Sequence, residues 1–444
     1  MPFKEDSRCL RKNFLSREKR SNFWNTRVVA EKNETDAQED SAYGIGSFLK
    51  MYLLRSSFHG VRYVVENELK LFERFIWVCI MILSIFFTVY ISILLANRFN
   101  NSPLQTVIES IDYPLGNILF PAITICFSNR VDWSKIDEAA EIFIPNGTKE
   151  VKDLFQGFTS KLESFEFGNF LPFREFENVS LEPLDSINIS ELMEFMSYPC
   201  EDHFSDCRIL YWYAKCCRDL IPQKSEFGFC HSFNTNGLNG SIYDLPLRSS
   251  LAGWEYGIDL TAIPGSPESR VPGSINPNGV KVSICIDQLF HPFAWPNSGL
   301  FIPGGHALLV KLTPLLSYAT PSTRRYDPKS RGCIFADEAT DSKYLKLPGF
   351  EYSRSNCLSA CRQNYLVDRC NCTLEAFFPI GNYTPCKASD FKCLVKNNHF
   401  FNLETFKIDG DTANKNQSGM VCFCPPDCES LVYQAETPEW PYSE

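Results

Sequence analysis

The chain has 444 residues, 22% charged, 44% hydrophobic and 14% aromatic, with 19 cysteines and a formal net charge of −10. That is enough chain for about three average domains or one large elaborated one, and the aromatic content excludes general disorder. No Lys/Arg block covers a face, which argues against nucleic-acid binding, and the cysteine count argues against a reduced cytosolic protein.

Charge and cysteine are unevenly placed. Residues 1–74 hold 14 basic and 11 acidic side chains, a net of +3, whereas the remainder carries −13. Seventeen of the 19 cysteines follow residue 125. A border near residues 75–100 separates two chemically different parts.

In chain order, residues 1–42 are polar and read as a flexible tail. From Ser47 to Arg74 apolar residues recur at helical spacing (Phe48, Leu49, Tyr52, Leu53, then Val61, Val64, Val65, Leu69, Phe72), interrupted by Ser56-Ser57-Phe58-His59-Gly60. Phe75 to Ala96 is then a run of 22 residues without a charge. As a helix it is about 33 Å long, enough to cross a hydrocarbon core of roughly 30 Å. Arg55, Arg62, Lys70 and Arg74 precede it, and Arg98 is the only basic residue after it until Arg130. The positive-inside rule therefore predicts a cytosolic N-terminus and an external C-terminal bulk. The late cysteines need an oxidising compartment. Sequons at Asn146, Asn178, Asn188, Asn239, Asn382 and Asn416 are candidate glycosylation sites. Asn371 also begins one, but it lies between two cysteines, where access for a sugar is expected to be poor.

Beyond the span, 97–125 reads as extended chain ending in a strand before Cys126, and 131–200 as short amphipathic helices in an exposed, peripheral region. Residues 200–235 are cysteine-rich. Residues 236–332 carry short β-type runs punctuated by Pro and Gly, and 300–319 reads as a turn and two strands rather than a second span. No second apolar run occurs up to Glu444, so a second membrane helix is expected to be missing from this chain.

Ten cysteines fall at 333, 357, 361, 370, 372, 386, 393, 422, 424 and 428. Cys357-x3-Cys361 places two sulfurs on one helix face, and Cys422-x-Cys424 places two on one strand face. Antiparallel nesting predicts 357–424 and 361–422, closed by 333–428, with 370–393 and 372–386 inside. Metal ligation is the competing reading of such spacings, but an oxidising compartment favours disulfides. Each closed loop contributes about 3–4 kcal/mol in the chain-entropy model, and the ladder makes a stiff element.

Together these features resemble the degenerin/epithelial sodium channel family, most closely its pickpocket branch. Ser57-Phe58-His59-Gly60-Val61 is similar to the family's His-Gly motif before the first span, with Trp77 early in that span. Phe120-Pro121-Ala122-Ile123-Thr124-Ile125-Cys126 resembles its post-membrane motif, and Gly228-Phe229-Cys230-His231-Ser232-Phe233-Asn234 its Gly-x-Cys-Tyr-Ser/Thr-Phe-Asn motif. Cys357-x3-Cys361, Cys370-Asn371-Cys372 and Cys422 to Cys428, followed by Tyr433, resemble its thumb cysteines in order and spacing.

The resemblance implies an α+β membrane protein: one transmembrane helix and a large disulfide-rich extracellular domain with a central β-sheet and peripheral helices, like an acid-sensing channel. The expected organisation is a cytosolic region 1–74, a transmembrane helix 75–97, the start of the β core 98–130 and a peripheral finger-like region 131–235. A β-rich region 236–332, a disulfide-laddered thumb-like region 333–433 and a truncated return toward the membrane 434–444 follow. It further implies 126–230 and a bond from Cys207 to Cys216 or Cys217. Cys200, Cys285 and one of the adjacent pair stay unassigned, and Cys285 is the expected odd thiol.

The implied function is that of a subunit of a ligand-, proton- or force-gated, sodium-permeable channel in the plasma membrane, with His59 and Gly60 affecting gating. Membrane lipid, sodium ions and related subunits in a homo- or hetero-trimer are the implied partners; no cofactor, metal or nucleic acid is expected. A non-conducting receptor or regulatory subunit is the alternative. A membrane-anchored enzyme fits the topology too, but none of the six histidines begins H-E-x-x-H and no G-x-S-x-G occurs. Acidic groups such as Glu141/Glu150 or Asp337/Glu338/Asp341 sense protons only if buried together, and most are expected to be solvated surface.

Overall fold

The computed structural model describes residues 45–58, 60–101, 104–209, 212–213, 215–235, 247–249, 251–285, 299–339, 344–407, 418–437 and 439–441. The chain divides into two compact units, Met1–Asn101 and Ser102–Glu444.

In the first unit, helices α1 (Ile45–Arg55) and α2 (Val61–Val65) precede α3 (Leu71–Asn101). The apolar run lies within α3, whose 31 residues make a rod of about 46 Å. Residues 97–101, expected to be extended, continue the helix. Phe86, Phe87 and Leu95 are exposed around it, as a lipid-facing rod requires. Two of its hydroxyls are satisfied internally: Thr88 Oγ1 donates to the Ser84 carbonyl at 2.9 Å and Ser92 Oγ to the Thr88 carbonyl at 2.8 Å. Among the described residues this is the one helix long and apolar enough to cross a membrane.

The second unit is organised by an antiparallel five-stranded sheet in the order β4-β5-β1-β7-β8. Its strands are β1 (Ala122–Phe127), β4 (Ile221–Ser225), β5 (Gly228–Phe233), β7 (Gly279–Cys285) and β8 (Leu300–Pro303). The central strand β1 is apolar and largely buried along its length, in keeping with its β-branched content. A smaller sheet joins β2 (Phe204–Ile209), β3 (Trp212–Tyr213) and β6 (Ile258–Ala262). The segment 300–319 forms three strands rather than two: β8, β9 (His306–Leu308) and β10 (Lys311–Ser317). The extra reversal is made at Gly304-Gly305, where Gly305 has φ +73°. Strand β10 pairs antiparallel with β13 (Ser430–Glu436), from Lys311↔Glu436 to Ser317↔Ser430. Strands β11 (Glu404–Lys407) and β12 (Met420–Phe423) pair in parallel, and β14 (Glu439–Pro441) pairs with β9.

Residues 131–200, expected to be exposed and peripheral, instead contribute the larger part of the main core. Helices α4 (Ile136–Phe143), α5 (Lys149–Leu162) and α6 (Ile189–Phe195) alternate there with 3₁₀ turns. The side chains of Phe155, Phe158, Phe165, Phe170 and Phe173 are fully buried. They pack against the far part of the chain: Phe165 lies 4.6 Å from Phe377 and Phe173 lies 4.6 Å from Phe391, centroid to centroid. The core thus crosses the expected border between 131–235 and 333–433. The reason is compositional, since burying an aromatic ring contributes more than any element of this size gains from a solvated surface.

Candidate functional site: the paired motif strands and the stapled helix

Two motifs whose cysteines lie 104 residues apart meet as neighbouring strands. β1 and β5 run antiparallel with Ile123↔Phe233, Thr124↔Ser232 and Ile125↔His231. Phe120 and Pro121 lead into the first of these strands, which begins at Ala122. The hydroxyls of Thr124 and Ser232 are buried and bonded to each other at 2.8 Å, and Cys126 is joined to Cys230. Asn234 ends the pair. It sits at φ +57°, a conformation Asn tolerates better than other side chains, and its Nδ2 donates to the Phe120 carbonyl at 2.6 Å. Its Oδ1 accepts from the Leu247 amide at 2.9 Å. Phe120 and Asn234, far apart in sequence, thus close one corner of the sheet.

Next to this sheet Cys207 is bonded to Cys216 and Cys200 to Cys217. The adjacent cysteines occupy one helical turn (Cys216–Asp219), which aims their sulfurs at different partners. Cys285 closes β7, and its side chain lies outside the described ones. The unbonded cysteine among the described residues is Cys79, on α3.

The stapled element is α7 (Arg354–Cys370). Ser353 caps its start by accepting from the Asn356 amide, and Asn371 ends it in the left-handed conformation at φ +57°. Cys357 is bonded to Cys424 and Cys361 to Cys422, clamping one face of α7 to β12 and to the residue that directly follows it. Cys333–Cys428, Cys370–Cys393 and Cys372–Cys386 complete the set. The bond from Cys393 starts on α8 (Phe391–Lys396).

Another face of α7 is held by charge. Arg362 Nη1 donates to Glu226 Oε2 at 2.6 Å and its Nη2 to Glu404 Oε2 at 2.7 Å, while Ser359 Oγ bonds Glu226 Oε1 at 2.6 Å. All three ionic side chains are almost inaccessible to solvent. Burial pushes the Glu226 carboxyl above its ordinary range, Arg362 and Ser359 pull it back, and Glu404 adds to the rise. Burial also opposes charge on Arg362, but the two carboxylates outweigh it and hold the guanidinium protonated. Two carboxylates share one cation here. Glu226 sits in the turn between β4 and β5, so the trio ties the motif sheet to the stapled helix. Sequence reasoning missed these residues because they come from three distant segments. The only local hint is position: Glu226 lies two residues before Gly228 and Arg362 directly after Cys361.

In the first unit Gly60 has φ +93°, and a Cβ there would meet Met81 Cγ at 3.3 Å with Trp77 close behind. Tyr63 stacks on Trp77 at 4.6 Å. The glycine is thus required both by its backbone conformation and by its seat against α3. His59 lies outside the described residues.

Among the described residues, Glu141 and Glu150 and the pair Asp337 and Glu338 do not form buried acidic clusters. Asp337 pairs with Arg324 at 2.8 Å, which holds its carboxyl below the usual range, and Glu338 pairs with Arg331. Glu150 is lowered by hydrogen bonds from its own backbone and from Thr148. Asp341 lies outside the described residues. Among the sequons, Asn146, Asn178 and Asn382 are exposed, and so is Asn371 despite its flanking cysteines. Asn188 is occupied as the N-cap of α6, accepting from Ser190 and Glu191. Asn239 and Asn416 lie outside the described residues.

The family model described as amiloride-sensitive sodium channel matches residues 52–443. The chain is 25% identical over 392 residues to Pickpocket protein 19 of Drosophila melanogaster, covering 85% of this chain and 75% of that protein. It is 26% identical over 399 residues to Sodium channel protein Nach of Drosophila ananassae, covering 87% and 71%. A shorter match, 24% over 221 residues, covers 49% of this chain and 25% of Degenerin deg-1 of Caenorhabditis elegans. With the motif strands, the disulfide-rich unit and the apolar helix, this match over most of its length places the chain in the amiloride-sensitive (degenerin/epithelial) sodium channel family as a pickpocket-like subunit.

Proposed function

We propose that the chain is a subunit of a sodium-permeable, cation-selective channel of the plasma membrane, assembled as a homo- or hetero-trimer with related subunits. Residues 1–74 lie in the cytosol, α3 crosses the lipid, and the disulfide-rich unit stands outside. A ligand, proton or force acting on that unit is passed through the stapled α7 and the motif sheet toward the membrane helices. The observation that supports this reading best is the double fastening of α7. Disulfides fix it to β12 on one face, and the Arg362 trio fixes it to the β4–β5 turn on another. An element tied on two faces displaces its neighbours when it moves, which is what transmission of a stimulus requires.

The test is co-expression with a conducting pickpocket relative in a sodium-current assay. The expected outcome is one complex on purification and an amiloride-sensitive sodium current whose size or block changes with the dose of this chain. Absence of a complex, with an unchanged current, overturns the proposal.

A further inference from the structure

Beside the motif strands is a small cavity of about 10 Å³, lined by Asn129, Arg130, His231 and Ser197, whose hydroxyl donates to the Glu194 carbonyl, between the rings of Phe127, Tyr198 and Phe229. This is close to the least space one water molecule needs, roughly 10–15 Å³. Three of the polar lining residues carry a buried atom without a protein partner: Asn129 Oδ1, Arg130 Nε and His231 Nδ1. Asn129 is 5% exposed, His231 8%, and the Arg130 side chain 9%. A buried polar atom left unpaired costs about 1–3 kcal/mol, so three on one small cavity call for a ligand.

The chemistry of the set decides which ligand. Tyr198 is within hydrogen-bonding distance of the Ser269 carbonyl at 3.1 Å and receives Asn129 Nδ2–H at 2.5 Å, which leaves Asn129 Oδ1 as an acceptor. Burial, with the neighbouring His203 adding to it and Glu201 opposing, pushes His231 down to about 4, so its imidazole is neutral at pH 7. Its unpartnered Nδ1 is then an acceptor when the proton sits on Nε2. Arg130 Nε–H is always a donor. With the proton on Nε2, two acceptors and one donor exclude a halide, which has no proton to give. They equally exclude ammonium, which has no lone pair for the arginine.

We propose that one ordered water molecule is a resident ligand of this site, accepting from Arg130 Nε–H and donating to Asn129 Oδ1 and His231 Nδ1. It joins the chain just after β1 to the middle of β5, so the two motif strands are linked by solvent as well as by their own ladder and the Cys126–Cys230 bond.

The test is an experimental structure of the full chain, at a resolution that shows waters, from protein kept in bromide. A single water-sized peak within hydrogen-bond reach of all three atoms, without bromide signal, is expected. Bromide signal at the site, or no peak with the three atoms turned to other partners, overturns the proposal. A second measurement uses two variants of the full chain. His231→Gln keeps an acceptor, whereas His231→Phe removes it and fills the space. The Phe variant is expected to unfold at least about 2 °C below the Gln variant. Equal midpoints, or a lower one for Gln, overturn the proposal.

Discussion

The core around 131–196 and the core around α7 solve the same problem in different ways. No cysteine lies between Cys126 and Cys200, yet this stretch buries a set of phenylalanine rings that hold it against the far part of the chain. Around α7 the buried apolar cluster is small, and four of its seven members are cysteines: Cys357, Cys361, Cys422 and Cys424, beside Ile334, Ala339 and Tyr352. The cysteine-free stretch 131–196 is held by apolar area without a disulfide, whereas one face of α7 is held by covalent bonds beside a small cluster, as in small secreted domains.

Three measurements break or sharpen this contrast. The largest effect is expected from Phe165→Ala, which opens a cavity between four ring neighbours and costs about 3–5 kcal/mol. Chemical denaturation of the variant checks it, and a loss under 1 kcal/mol would show that the ring core is not what holds 131–196. Replacing Cys361 and Cys422 by Ser removes a link across 61 residues, worth about 4 kcal/mol in the chain-entropy model. Hydrogen exchange should then rise in α7 and β12 while α5 keeps its protection; uniform loosening would refute the division.

The smallest effect is set by pH. His231 has a folded pKa of about 4, below the ordinary value near 6.5. As pH falls the unfolded chain takes up the proton first. The contribution of this residue is therefore complete above about pH 6.5 and declines between 6.5 and 4, by on the order of 2–3 kcal/mol. Because the raised Glu226 carboxyl gives a slope of opposite sign, the informative quantity is the difference between the native chain and His231→Gln. Parallel pH profiles for the two would remove His231 from the account.

The membrane helix and the motif order were legible in the sequence because each rests on a local property: the length of an uncharged run, or a fixed spacing between cysteines. Nested order also relates Cys357 to Cys424 and Cys361 to Cys422, since an i,i+4 pair can face an i,i+2 pair in only two ways. The choice between Cys216 and Cys217 was not legible, because it depends on which way each residue of one helical turn points. Nor was the depth of Phe165 and Phe173. Short 3₁₀ turns such as Leu171–Phe176 break the helical period that would have revealed a buried face. The Glu226–Arg362–Glu404 trio is purely a product of the tertiary fold, joining positions 136 and 42 residues apart.

One modest contact has a wider mechanical meaning. The Tyr433 hydroxyl donates to the Leu119 carbonyl, and β13, which carries Tyr433, is zipped to β10 along seven residue pairs. The stretch leading into the central strand and the ribbon far downstream are therefore bolted to a common mount. Tyr433→Phe would cut this one tie while leaving the ribbon's own ladder intact.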